Sequence, residues 1–216
     1  MSRKTQEILS VLSILLIAGL LPLAANEPAG SEGPKFLFET GSPPWRGERI
    51  PLPPSFARDL GWTGVEEIRF APGMFQPTKP DFFSYILVFA LEPGSDLSEK
   101  GLKQELLTYY RGLSKSVMES AEMEVDTESF TISLEKTDLA NAGAPDAAPK
   151  ARAWTATLDW VEPFATRKKQ TLHFELHTWV QGETPVVLSC VSPLDPKADA
   201  APWESLRAIR KTFRLE

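Results

Sequence analysis

The chain of 216 residues contains one cysteine and two histidines, and each shortage excludes something. With Cys190 alone, no internal disulfide can form, so packing must hold the fold. In Val186-Val187-Leu188-Ser189-Cys190-Val191, strand alternation puts Cys190 on the face of Val186 and Leu188, where a buried, inert thiol is expected. No paired cysteines offer a zinc site, and no Gly-rich loop offers a phosphate cradle. The nucleophile elbow Gly-x-Ser-x-Gly is missing too. Gly112-Leu113-Ser114-Lys115-Ser116 ends in serine where that pattern needs glycine, and it lies within a helical stretch. Ser133-Leu134-Glu135-Lys136 spells Ser-x-x-Lys, but a strand sends those two side chains to opposite faces. Positive charge is also short: 23 basic against 29 acidic side chains give a net charge of −6. A general nucleic-acid binder needs the opposite balance to displace counterions, and nothing here favours anionic lipid.

Long apolar runs are confined to the N-terminus. Arg3 and Lys4 precede an apolar stretch from Ile8 to Ala25, with Ala24-Ala25 as an exit for cleavage. Residues 1–25 therefore read as a secretory signal, and the protein as exported to the periplasm or the extracellular space. The same stretch would span about 27 Å as a helix, so an uncleaved membrane anchor is the alternative. Pro22 and the polar Asn26-Glu27-Pro28 favour cleavage. Residues 26–47 form a polar, proline-rich segment, and residues 48–216 a single domain.

Within the domain the hydrophobic period alternates between that of strand and that of helix. The proline-dense stretch from Pro43 to Pro54 cannot donate ladder hydrogen bonds regularly and should run along an edge. Val65–Phe70 reads as a strand with Ile68 and Phe70 on one face. Phe82–Leu91, apolar on both parities, reads as a central strand buried on both faces, at about half the length of a membrane span. Asp96 and Glu99 resemble a capping box for a helix over about 97–119, whose stripe is Leu102, Leu106, Tyr109, Tyr110, Leu113 and Val117. Glu105, off that stripe, should be wet. Glu122–Lys136 reads as another strand, and 137–151, without any apolar period, as a mobile loop. Arg152–Val161, Thr171–Gln181 and Val186–Val191 read as an antiparallel meander. A short helix over about 202–213 closes the chain, with Trp203, Leu206, Ile209 and Phe213 inward and Arg207, Arg210, Lys211 and Arg214 outward. Strands, helix, strands, helix is the order of an α+β fold, an antiparallel sheet packed by one long and one short helix.

Candidate chemistry is sparse. His173-Phe174-Glu175-Leu176-His177 puts both histidines and a carboxylate on one strand face. The two histidine Cα atoms would stand about 13.5 Å apart, too far for one ion to hold both easily. A divalent metal bound by His173, Glu175 and His177 is nevertheless the only metal reading available, and no cofactor is expected otherwise. Trp154 and Trp160, interleaved with Ala156 and Leu158, read as core. Trp179 shares the histidine face and is the aromatic most suited to touch a ligand. Glu66-Glu67 and the run Glu122, Glu124, Asp126, Glu128 could do acid–base work, but alternating acids more often make a solvated strand face.

The order of elements resembles the PsbP-like fold, which includes small bacterial envelope proteins such as DcrB. The likeness rests on Ile50-Pro51-Leu52-Pro53-Pro54-Ser55-Phe56, then an apolar strand and one long helix. The meander and Ser205-Leu206-Arg207-Ala208-Ile209-Arg210-Lys211-Thr212-Phe213 complete it, over about residues 48–214. That resemblance implies an assembly or accessory factor rather than an enzyme. Three functions are therefore carried forward. The first is a non-catalytic binding or accessory protein whose partner is an unknown protein or small ligand of the cell envelope. The second is a metal-assisted hydrolase using the His173/Glu175/His177 face, and the third a carrier of a small apolar ligand between sheet and long helix. Contact with a membrane enters only if the N-terminal segment stays uncleaved.

Overall fold

Strands that are apolar on both parities need a cover on each face of their sheet, and this requirement organises the molecule. The computed structural model describes residues 33–137, 143–197 and 201–216. The signal segment 1–25 lies outside the described residues, as do 138–142 of the loop. Nine strands form among the described residues: Phe36–Leu37 (β1), Arg46–Leu52 (β2), Gly64–Phe70 (β3), Tyr85–Leu91 (β4), Thr131–Lys136 (β5), Arg152–Val161 (β6), Lys169–Gln181 (β7), Thr184–Ser192 (β8) and Arg214–Leu215 (β9). The helices are Glu99–Ser120 (α1) and Ala201–Thr212 (α2). Strands β2-β3-β4-β8-β7-β6-β5 make one antiparallel sheet, and β1 pairs with β9. The protein is thus α+β. None of the described helices is long and apolar enough to cross a membrane.

The doubly apolar strands β4 and β8 lie side by side at the centre, with Val88 opposite Leu188. Every residue of β4 is buried. On one face Tyr85, Leu87, Phe89, Val187 and Val191 meet α1 and the aromatic side chains of β6 and β7. On the other, Ile86, Val88, Val186, Leu188 and Cys190 meet Trp203, Leu206, Ile209 and Phe213 of α2. Each such apolar side chain contributes roughly 1.5–3 kcal/mol by leaving water. The meander closes through a two-residue turn at Gly182-Glu183, where φ at Gly182 is +62°, a value only glycine adopts without cost. Proline-bearing β2 occupies a sheet edge, since Pro51 has no N–H for a second neighbour.

Two local expectations are corrected. Ser98, not Asp96, caps α1: its side chain accepts from Gly101 N at 3.2 Å, while Asp96 accepts from Ser98 N at 2.8 Å. The strand expected from Glu122 begins only at Thr131. Before it come a turn and a 3-10 helix at Thr127–Ser129. Glu122, Glu124, Asp126 and Glu128 are all exposed as foreseen, but on a loop, not a strand face. Residues 143–151 are tied to the end of α2, with Asp146 N donating to the Lys211 carbonyl at 2.9 Å.

Candidate functional site

The face carrying His173, Glu175, His177 and Trp179 is where chemistry was expected, and α2 lies across it. Glu175 accepts from Arg207 (2.6 Å at Nη2) and from Arg210 (2.5 Å at Nη1). Arg210, expected outward, is 3% exposed. Trp203 occupies its place three and seven residues away on the same inward stripe as Leu206 and Arg210, so the helix turns this arginine under with the apolar residues. Burial works against ionisation of Glu175, yet the hydrogen bonds and charges of Arg207 and Arg210 outweigh it and hold the carboxyl below its usual range. His177 is buried, and neither ring nitrogen has a partner among the described residues. Burial and the nearby Arg210 lower its pKa to about 4, so the imidazole is neutral at pH 7. Cys190 faces the same layer, its thiol pushed up to about 12 by burial, which makes it inert. His173 sits farther along, half-buried, opposite Ser192.

This arrangement does not suit a metal. The one carboxylate between the histidines is engaged by two guanidinium groups, whose charge repels a cation. Among the described residues no group of three or more His, Cys, Asp or Glu side chains is placed to hold an ion. Trp179 is half-buried against Phe213, ring centroids 6.2 Å apart. It borders a shallow groove of about 750 Å³ with Leu97, Lys150 and Val180. That groove is open to water and holds none of the buried polar atoms that lack a partner.

A different constellation forms between β2–β4 and α1. Here the sheet edge and helix are held close, because Gly112 lets α1 approach the backbone of Phe56 and Ala57; a Cβ would stand 2.9 Å from the Ala57 Cα. The space left between them is a cleft of about 40 Å³. Its floor is Glu66, Ile68, Met74, Phe83, Tyr85 and Tyr109, all buried, and its rim is Glu48, Ile50, Phe56, Phe70, Phe75, Leu113 and Phe164, all partly exposed. The rings brace one another: Phe56 on Tyr109 at 5.1 Å, Phe70 on Phe75 at 5.9 Å, Phe75 on Phe164 at 5.9 Å. Phe83 holds its place with φ at +51°, a conformation disfavoured for a bulky side chain and found where surrounding structure enforces it.

Glu66 is the one charged type on this floor. Tyr109 Oη donates to its Oε1 at 2.8 Å, whereas Oε2 is buried without any partner among the described residues. Burial raises the Glu66 pKa to about 8, the Tyr109 hydrogen bond working against that rise and Glu48 adding to it. Glu48, a diagonal neighbour across the β2–β3 ladder, is itself raised by burial. Behind Tyr109 the hydroxyls of Tyr85 and Tyr110 share a hydrogen bond of 2.5 Å. Burial raises the pKa of all three tyrosines, so they stay protonated. The cleft can therefore bury an apolar group, and at its floor it can either give a proton from Glu66 or accept a donor there. Apolar walls with few polar groups match the composition of a ligand site, while a volume of about 40 Å³ suits only a small terminal group, the rest of a ligand lying at the mouth.

Glu66 and Glu67 do not act as a pair. Strand alternation turns Glu67 to the opposite face, where Arg69 and Arg49 hold it. Sequence reasoning passed over Glu66 as an isolated site, although its parity with Ile68 and Phe70 signals an acid on an apolar face. The other partners come from six distant segments, and no local pattern joins them. No protein-family model matches the chain, and no curated protein matches it either.

Proposed function

We propose that this chain is a non-catalytic binding protein of the cell envelope, holding a small, mostly apolar molecule in the cleft between β2–β4 and α1. This reading unites two of the expectations, the accessory protein and the carrier of an apolar ligand. One observation carries it: a fully buried carboxyl whose Oε2 lacks a partner lies on the floor of a braced aromatic cleft. An unpaired buried oxygen costs about 1–3 kcal/mol, a cost that a ligand able to hydrogen-bond it would remove. The export signal expected at residues 1–25 and the resemblance of the element order to the PsbP-like fold are the grounds for placing the protein in the envelope. The ion pair at Glu175 and the burial of His177 beneath α2 favour this reading over the hydrolase alternative.

Calorimetric titration with the neutral probe benzyl alcohol, whose hydroxyl and first carbon fit the floor while its ring rests at the mouth, tests the reading. The wild-type protein is expected to saturate at one probe per chain, and Leu113→Trp, which fills the rim, to lose the signal. Equal binding by both proteins, or none by the wild type while circular dichroism shows it folded, contradicts the proposal.

A further inference from the structure

We infer that the group seated against Glu66 is an organic ammonium carrying at least one N–H, attached to a hydrocarbon body that rests on the aromatic rim. The inference rests on the cleft being the binding site and adds the charge of what it takes. Three observations point the same way. The cleft is lined by two carboxyl side chains, Glu48 and Glu66, and by no lysine, arginine or histidine. The basic residues of the same strands are used elsewhere: Arg49 and Arg69 hold Glu67 on the opposite face, and Arg46 stands exposed at the start of β2. Finally, Oε2 of Glu66 has no partner among the described residues, since Tyr109 is spent on Oε1, and once Glu66 gives up its proton that oxygen can accept from a cation.

Size and environment agree with this. About 40 Å³ holds roughly three water-sized groups at ~10–15 Å³ each, enough for an ammonium and its first carbon but not for a ring. The ring or chain would occupy the mouth. Aromatic rings within about 6 Å attract a cation through their quadrupoles, and a desolvated ammonium–carboxylate hydrogen bond is among the stronger kinds. The groups facing Glu66 are Glu48 from β2, Tyr85 from β4 and Tyr109 and Tyr110 from α1, none of them cationic. Because Glu66 holds its proton at pH 7 when the cleft is empty, seating an ammonium displaces that proton to solvent. Binding should therefore tighten as pH rises toward 8.

The test compares benzylammonium with its neutral isostere, benzyl alcohol, by calorimetry on the full chain at pH 7. Titrations in phosphate and in Tris reveal proton release from the difference in observed heat. Benzylammonium is expected to bind about tenfold more tightly with release of up to one proton, and Glu66→Gln to erase that preference while still binding benzyl alcohol. If benzyl alcohol binds wild type as tightly as the cation, the ammonium inference falls and the cleft remains a binding site for neutral molecules. If the preference survives in Glu66→Gln, recognition lies elsewhere and the inference also falls. Should neither compound bind the folded wild type, the cleft reading fails along with it.

Discussion

Replacing Glu66 with glutamine should make this protein more stable at neutral pH while damaging its site. Glutamine keeps the shape and still accepts from Tyr109, but it never ionises. The native Glu66 pKa of about 8 stands above the ordinary 4.5, so between those values the folded state holds a proton that the unfolded state has lost. Stability from this group is complete below pH 4.5 and is lost as pH rises toward 8. At ~1.4 kcal/mol per pH unit the loss is about 1 kcal/mol at pH 5, about 3 at pH 7 and about 5 well above pH 8. Glutamine carries no such penalty, so its advantage over glutamate should grow by roughly 2 kcal/mol from pH 5 to pH 7. Urea unfolding of both proteins at the two pH values measures it directly. In thermal melts the same gain is several degrees for a chain of this size. Comparing the two proteins at each pH cancels every other titrating group. An advantage that stays constant between pH 5 and pH 7 would refute the reasoning, because Glu66 would then have an ordinary pKa and an ordinary, wetter place.

Other perturbations read the opposite face. Arg210 is buried and Arg207 partly exposed, although both meet Glu175; Arg210→Met should cost about 3 kcal/mol in urea unfolding and Arg207→Ala at most about 1. The pKa of His177 falls from 6.5 to about 4 on folding, so its contribution is present above pH 6.5 and is lost as pH drops toward 4, by about 3 kcal/mol. His177→Leu should lose less stability than wild type between pH 7 and pH 4, and parallel curves for the two proteins would contradict this. Gly112→Ala gains helix propensity of about 1 kcal/mol, but its Cβ meets the backbone of Phe56 and Ala57. Overpacking of about 1–3 kcal/mol should offset that gain and leave a net loss of up to about 2 kcal/mol in urea unfolding, together with weaker binding of the neutral probe.

What could be read from the chain was whatever repeats with a short period. The α1 stripe from Leu102 to Val117, the alternation of Trp154, Leu158 and Trp160, and the burial of Cys190 beside Leu188 all follow from side-chain direction within one element. The failures share a cause: charge was taken to mean solvent. Glu105 follows Leu102 by three residues and precedes Tyr109 by four, a position on the buried stripe, and it accepts from Gly61 N at 2.6 Å. Arg210 and Glu66 obey the same rule on α2 and β3. Each position lies inward in the structure, although Glu105 and Arg210 were expected in solvent, and a partner from a distant segment fixes each one there. Those partners, Gly61 for Glu105, Glu175 for Arg210 and Tyr109 for Glu66, lie 35–44 residues away in the chain. Tertiary pairing at that range leaves no local trace, so the cleft itself could not be assembled from the sequence.

The most direct test of the cleft as the binding site is backbone amide NMR of the folded protein titrated with benzyl alcohol. Shift changes are expected to be confined to residues 48–50, 56, 66–70, 74–75, 83–85, 109–113 and 164, which line the cleft around Glu66. Changes centred instead on Trp179 and Val180, or under α2 at His177 and Glu175, would contradict it.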